Sequence, residues 1–558
     1  MRRLFLHIFP LLLAGLFLAT GCRTTPVSES SSEKSERAQE AELERRAVAQ
    51  AHFAAAVVQQ LNDQPAAAAE EFFLAARSNP TDIDLLLEVS TRLIEGKQFQ
   101  KAAEVLTWAS TLPDPPNVVF VRLGFVYAQL GQFEKSIQAN RVAVSKMPRF
   151  LPVRQNLYFT YLQSKQPEAA LKVLDEAAAE SGTDAEYLVN LAELYVNYGR
   201  QFPEKRAQAN GQALAMLNQA KTRTPLDVAL QLKLADELIL LGDKEGAVKF
   251  YTDILNQADA SVALKEVLRA KLVDIFLRDK DNQRAIEQLN AMLADNPGKP
   301  SALYFLGSIA FDEKRWDEAI EYFQKALLFN PNFEQAQYDL ASAQLAANRG
   351  ADAVKTMVEV RRNFPGKFIG EYLLGLAYHE QKQYGDALKC LQAAEAIARS
   401  QETNRLNTAL YFQLGATSER SGDIAQAEKY FEKSISLSPT NAEALNYLGY
   451  MWAEKGIKLD QAKELIERAL KLEPNSAAFL DSLGWVYFQQ GKAQEAVSTL
   501  LKAVAAAPNE PDATIYEHLG DAYAALKDMD KAREAWAKSL SLTANDAVKK
   551  KLEDAKAR

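Results

Sequence analysis

The sequence predicts an all-α solenoid of about fourteen helix–turn–helix repeats closed by a C-terminal capping helix. Three observations carry that prediction. Apolar and small residues recur in a fixed order with a period of about 34 residues, as in Leu306, Gly307, Ala310, Ala319, Phe323, Ala326 and Pro331. Within the unit they fall three or four apart in two segments, which places each set on one helical face. A proline then ends the unit, because it cannot continue a helix and disfavours helix in the residue before it.

Composition sets the outer bounds. The 558 residues are 48% hydrophobic and 25% charged, which suits a folded chain and not a disordered one. The formal charge is −8, and removal of Arg2 and Arg3 takes it to −10 by subtraction. No long basic run offsets that acidity, so nucleic acid is not an expected partner. With only Cys22 and Cys390 present, modification of the first leaves no intramolecular disulfide, and Cys390 reads as a small helix residue.

Residues 1–21 have the layout of a secretory leader: Arg2 and Arg3, an apolar stretch from Leu4 to Ala19, then Thr20 and Gly21 before Cys22. The apolar stretch is shorter than the roughly 20 residues of a membrane-spanning helix, and Pro10 interrupts it. Ala19-Thr20-Gly21-Cys22 resembles the bacterial lipoprotein processing box, although that family favours Leu where Ala19 stands. The resemblance implies a lipidated Cys22 and a membrane anchor. Arg23, where the family's inner-membrane retention signal would have Asp, implies export to the outer membrane, facing the periplasm. Residues 22–35, rich in Ser, Thr and charge, should form a flexible tether.

The unit seen at 300–331 recurs as Leu123, Gly124, Tyr127, Ala143 and Pro148; as Leu374, Gly375, Tyr378, Ala387, Leu391 and Ala394; and as Leu483, Gly484, Tyr487, Ala496, Leu500, Ala503 and Pro508. This pattern is that of the tetratricopeptide repeat (TPR), and the chain resembles TPR proteins, which implies a right-handed superhelical solenoid. Gly307 and Ala319 let the paired helices approach, and Phe323 fills the space beyond them. Repeat starts are expected near 49, 83, 117, 151, 185, 228, 266, 300, 334, 368, 408, 442, 477 and 513.

Those starts divide into divergent repeats over 36–225, central repeats over 226–407 and consensus-like repeats over 408–544. An insertion or lengthened helix pair is expected near 199–212, with smaller insertions near Asp259 and Ser400. Ser136 and Asn140 stand where apolar residues usually pack. The polar segment 545–558 suits a capping helix, which an open-ended solenoid needs over its last apolar face.

From Asn446 to Ala503 the chain resembles bacterial TPR lipoproteins, among them outer-membrane adaptors that deliver substrates to periplasmic processing proteases. In the TPR family the first helix of each pair lines the inner surface. Residues two before the core Leu lie about 200° around the helix from it, so Tyr304, Tyr338, Tyr372, Phe412, Asn446, Asp481 and Glu517 should face inward. Phe311, His379, Tyr450, Trp485, Phe488 and Asp521 extend these stripes. An aromatic groove with acidic ends suits extended or helical protein segments, whereas rings that merely pack repeat on repeat would leave no such groove.

No catalytic residues, metal site, cofactor or small-molecule substrate are expected. His52, His379 and His518 lie in different repeats with no zinc-binding spacing, and neither a P-loop nor a dinucleotide fingerprint occurs. Two functions fit. One is a non-enzymatic scaffold or adaptor that gathers envelope proteins and presents substrates to a periplasmic protease. The other is a structural subunit of a polysaccharide or pilus secretion apparatus.

Overall fold

Single residues in the left-handed region turn most of the first helices back on their partners. Asp63, Lys97, Gly131 and Lys165 hold φ between 55° and 68°, and their spacing of 34 is the repeat itself. The chain is seen as a computed structural model that describes residues 31–223, 226–257 and 260–556. Among the described residues every regular element is helical and no strand occurs. The expected leader at 1–21 and Cys22 lie outside them.

The chain forms two compact units, Met1–Ala260 and Ser261–Arg558. The first holds six helix pairs: α1 (Ser31–Leu61) with α2 (Pro65–Ser78), α3 (Ile83–Glu95) with α4 (Phe99–Ser110), α5 (Asn117–Gln129) with α6 (Phe133–Lys146), α7 (Leu151–Gln163) with α8 (Pro167–Ala178), α9 (Ala185–Gln201) with α10 (Arg206–Ala220), and α11 (Val228–Leu241) with α12 (Lys244–Leu255). The second holds eight pairs and a final helix. They are α13 (Val262–Arg278) with α14 (Asn282–Asp295), α15 (Pro300–Asp312) with α16 (Trp316–Phe329), α17 (Glu334–Ala346) with α18 (Gly350–Asn363), and α19 (Phe368–Glu380) with α20 (Tyr384–Gln401). After these come α21 (Thr408–Arg420) with α22 (Ile424–Leu437), α23 (Ala442–Glu454) with α24 (Leu459–Leu472), α25 (Ala477–Gln489) with α26 (Ala493–Ala506), α27 (Ala513–Ala525) with α28 (Met529–Leu542), and α29 (Asp546–Lys556).

Twelve of the fourteen expected starts coincide with the first residue of a helix. Of the two exceptions, α13 begins at Val262 and not 266, and α1 begins at Ser31 and not 49. Residues 31–35, expected as tether, are therefore helical. The cause is local: 36–48 is rich in Ala, Glu and Arg, all strong helix formers, and Arg46 pairs with Glu42 one turn away at 2.7 Å. This stretch is solvent-exposed until Ala49 enters the core.

Near 199–212 the structure shows a lengthened pair: α9 runs to Gln201, a 3-10 turn spans Pro203–Lys205, and α10 follows. Near Ser400, α20 extends to 18 residues and leads into a second 3-10 turn, Thr403–Arg405. Asp259 lies outside the described residues.

Side-chain caps set many helix starts. Asp82, Asp227 and Asn441 each accept from the amide three residues on, at 3.1, 2.7 and 2.9 Å, each cap worth about 1 kcal/mol. Between the paired helices a glycine faces a large residue: Gly307 faces Phe323, Gly375 faces Leu391, Gly415 faces Phe431, Gly484 faces Leu500 and Gly520 faces Trp536. In each of these pairs a β-carbon on the glycine would come within 2.5–2.8 Å of its partner, so helix approach requires hydrogen there.

Ser136 and Asn140 are fully buried, and the seam they occupy is polar. Ser136 Oγ donates to the Gly124 carbonyl at 2.7 Å, and Asn140 Nδ2 donates to Ser136 Oγ and Thr160 Oγ1, both at 3.2 Å. These bonds offset much of the cost of burial, although Asn140 Oδ1 has no partner among the described residues. At the other end α29 caps the second unit: Val548 and Ala555 are buried against Trp536 and Ala532, and Arg533 donates to the Ala555 carbonyl at 3.0 Å.

Candidate functional site

The positions expected to face inward in the central repeats are mostly occupied by rings packed within their own repeat or against the next one. The Tyr304 hydroxyl on α15 donates to Asp339 on α17 at 2.8 Å, and its ring lies 4.8 Å from Phe333 and 5.8 Å from Phe323. Burial, and then this bond to a carboxylate, push the Tyr304 phenol up to about 12. Phe311 packs edge-on to Trp316 at 5.0 Å, and Tyr372 stacks on Phe368 at 5.5 Å. Phe412 meets Phe431 and Tyr447 at 5.7 and 5.5 Å. Tyr338 is 5% exposed, with its hydroxyl donating to Glu334 at 2.8 Å, and so offers almost no ring to a partner.

His379 is half-buried, with Nδ1 2.9 Å from Thr417 Oγ1 and the ring edge-on to Tyr384 at 5.4 Å. Burial, and then the positive charge of Arg420, pull its pKa below the usual histidine value.

The structure gathers the C-terminal members of the stripe into one cluster on α23, α25 and α27. Trp485 is stacked between Phe488 at 4.8 Å and His518 at 4.1 Å, and Tyr450 stands 6.4 Å from the same imidazole. Beneath them Asp481, 7% exposed, holds His518 Nδ1 at 2.9 and 3.1 Å to its two oxygens. Tyr450 donates to Glu454 at 3.0 Å, and burial, followed by that carboxylate's charge, raises its pKa. Two buried polar atoms, Trp485 Nε1 and Asn446 Oδ1, have no hydrogen-bond partner among the described residues.

Acidic groups close the far side. Glu517 and Asp521 share the ammonium of Lys551, which projects from α29 at 3.0 and 2.6 Å. Burial disfavours the charge on Lys551, but the hydrogen bonds to Asp521 and Glu517 outweigh it, so its pKa lies above the ordinary lysine value. Asp521 also accepts from Trp536 Nε1 at 2.9 Å.

Sequence reasoning weighed His518 only as a metal ligand and left Lys551 inside the cap. The signal for His518 was available: it sits between Glu517 and the core Leu519, one repeat beyond Asp481. Among the described residues no group of three or more His, Cys, Asp or Glu is placed to hold a metal. No helix there is long and apolar enough to cross a membrane. Burial pushes the Cys390 thiol up to about 11, away from the reactive thiolate.

Family models described as tetratricopeptide repeat match residues 271–336 and 458–511, 369–440, 310–367, and 513–546. Human protein O-mannosyl-transferase TMTC3 is 19% identical over 393 residues, 66% of this chain and 40% of that protein. Anaphase-promoting complex subunit 6 of Arabidopsis thaliana is 25% identical over 149 residues, 27% of this chain and 26% of that protein. The chain therefore spans less than half the length of either relative. Among solved structures, the APC/C hetero-tetramer Cut9-Hcn1 is similar at 15% identity and a TM-score of 0.39, covering 85% of this chain and 96% of that one. Yeast Tom70 is similar at 15% identity and a TM-score of 0.36, with the same coverage. Residues 271–336, 310–367, 369–440, 458–511 and 513–546 are thus matched as tetratricopeptide repeats, and they lie on helix pairs of the same 34-residue period that runs through the fold.

Proposed function

We propose that this protein is a non-enzymatic scaffold that binds polypeptide segments of envelope proteins against α23, α25 and α27. The observation that carries the reading is the cluster of part-exposed Tyr450, Trp485 and Phe488 gathered on the buried His518. Aromatic rings give a docking peptide contact area at little entropy cost. Acidic groups around the rings favour a segment that carries Lys or Arg.

Membrane anchoring through an acylated Cys22, at the outer membrane and facing the periplasm, belongs to the same reading. Each buried methylene contributes about 0.8 kcal/mol, so several acyl chains hold a protein where one does not. A scaffold so placed would present bound envelope proteins to a periplasmic protease.

The test is crosslinking in intact cells followed by mass spectrometry, comparing the natural chain with the triple variant Tyr450→Ser, Trp485→Ser, Phe488→Ser. Loss of the crosslinked proteins with helicity intact supports the reading. An unchanged set of partners retires it.

A further inference from the structure

The inner stripe that carries Tyr304, Tyr338, Tyr372 and Phe412 is broken one repeat earlier. The equivalent position on α13 is Ala270, two residues before the core Leu272, which is 1% exposed. Where the ring would stand there is a pocket of about 300 Å³, lined by Val267, Ala270, Leu277, Leu289, Met292 and Phe305.

The register shows that this pocket is the cast of an absent ring. Tyr304 is enclosed by Phe323 and Phe333 and reaches Asp339. Shifted back by one 34-residue repeat, those three places are Leu289, Lys299 and Phe305, and all three line the pocket. In the next repeat the chain fills the space with its own tyrosine; here different residues at the same three positions line the space without one. Val267 and Phe305 are left 51% and 38% exposed, an unusual use of large apolar side chains unless something covers them.

We propose that the Ala270 pocket is a binding site for an aromatic side chain of a partner polypeptide, Phe or Tyr flanked by Lys or Arg. The flanking preference follows from the rim. Glu266, Asp274 and Lys299 surround the opening, and Lys299 is committed to an ion pair with Glu266. The carboxylates of Glu266 and Asp274 are 54% and 58% exposed, each with a single basic partner, Lys299 and Arg278 respectively, so each keeps open acceptor positions for a basic neighbour of the ring. This inference rests on the reading of the inner face as a polypeptide surface, but it places a separate anchor point in the central repeats.

The experiment uses the full chain and 19F NMR of acetyl-Ala-Lys-(4-fluoro-Phe)-Lys-Ala-amide. Saturable binding is expected, displaced by the unlabelled Phe peptide and not by its Ala counterpart. Ala270→Tyr supplies the ring internally and should weaken binding by at least roughly tenfold, the scale of losing one buried ring. Val267→Lys, at an exposed position that does not endanger folding, should weaken it as well. The Tyr450, Trp485, Phe488 triple variant should bind this peptide normally. Equal displacement by the Ala peptide, or undiminished binding by both Ala270→Tyr and Val267→Lys, overturns the site. Loss of binding in the triple variant alone assigns capture to the C-terminal cluster and overturns it equally.

Discussion

Gly307 lies so close beneath the ring of Phe323 that a β-carbon at 307 would stand 2.7 Å from Cε1. Gly307→Ala should therefore destabilise the α15–α16 pair by about 1–3 kcal/mol through overpacking. Gly211 on α10 has nothing within 4 Å of the same construction, and Gly211→Ala should be neutral or stabilise by up to about 1 kcal/mol through helix propensity. Hydrogen exchange of each helix pair checks both, and suits a repeat array that does not unfold in one step.

Lys314 turns α15 into α16 with φ of 60°, a conformation that costs a residue with a β-carbon roughly 1–2 kcal/mol. Lys314→Gly should raise stability by roughly 0.5–1 kcal/mol, once the extra freedom of glycine in the unfolded chain is deducted. A thermal melt that moves downward would show that the lysine side chain contributes more than the turn costs it.

His379 is held neutral by burial and by Arg420, with its folded pKa below the unfolded value. The sign follows directly: the unfolded chain takes up the proton first, so stability falls as pH drops below about 6.5, the ordinary histidine value. His379→Gln should remove that part of the acid sensitivity around α19 and α21. Exchange rates of those helices at pH 7 and pH 5.5, compared between the two proteins, measure it.

Lys551→Met keeps most of the aliphatic stem but strips the charge shared by Glu517 and Asp521. Two part-buried carboxylates are then left facing each other. Protection of 546–556 against hydrogen exchange should fall by roughly fivefold to tenfold, about 1 kcal/mol after allowance for solvent screening. Unchanged protection would mean that Val548 and Ala555 alone hold α29 in place.

Cys22→Ala tests the anchor. If the acylated cysteine holds the protein to the membrane, the variant should move into the soluble fraction on cell breakage, while incorporation of an alkyne-bearing palmitate, present in the natural chain, disappears. Retention of the variant in the membrane fraction would show that something other than the cysteine holds it.

The helix pairs were legible because their signal is periodic and local: a small residue, a large one and a turn must recur at fixed spacing for helices to pack, and each mark stands in the sequence. The lengthened α9–α10 pair could be read at Pro203, which interrupts the period. The helical start of α1 at Ser31 was hidden, because a polar stretch rich in Ser, Glu and Arg fits a solvated helix as well as a tether. Ser136 and Asn140 registered as departures from the pattern, but their partner Thr160 lies on another repeat, and no local spacing announces a hydrogen bond of that kind. The C-terminal cluster was half legible. Helical geometry aligned Tyr450, Trp485 and Phe488, whereas the stacking of His518 on Trp485 depends on side-chain packing across repeats.

Gly449 meets Ile466, 17 positions on, where the pairs led by Gly307, Gly375, Gly415, Gly484 and Gly520 are 16 apart. The extra residue is absorbed at Gly456–Lys458, both ends of which take positive φ. Nature has thus already run an insertion trial at this bend, and the seam beneath it survived. A short epitope or fluorophore-binding tag grafted at the exposed Ile457 should be accepted at this bend so long as Lys458 keeps its pairing with Glu428 and its place over the Trp452 ring.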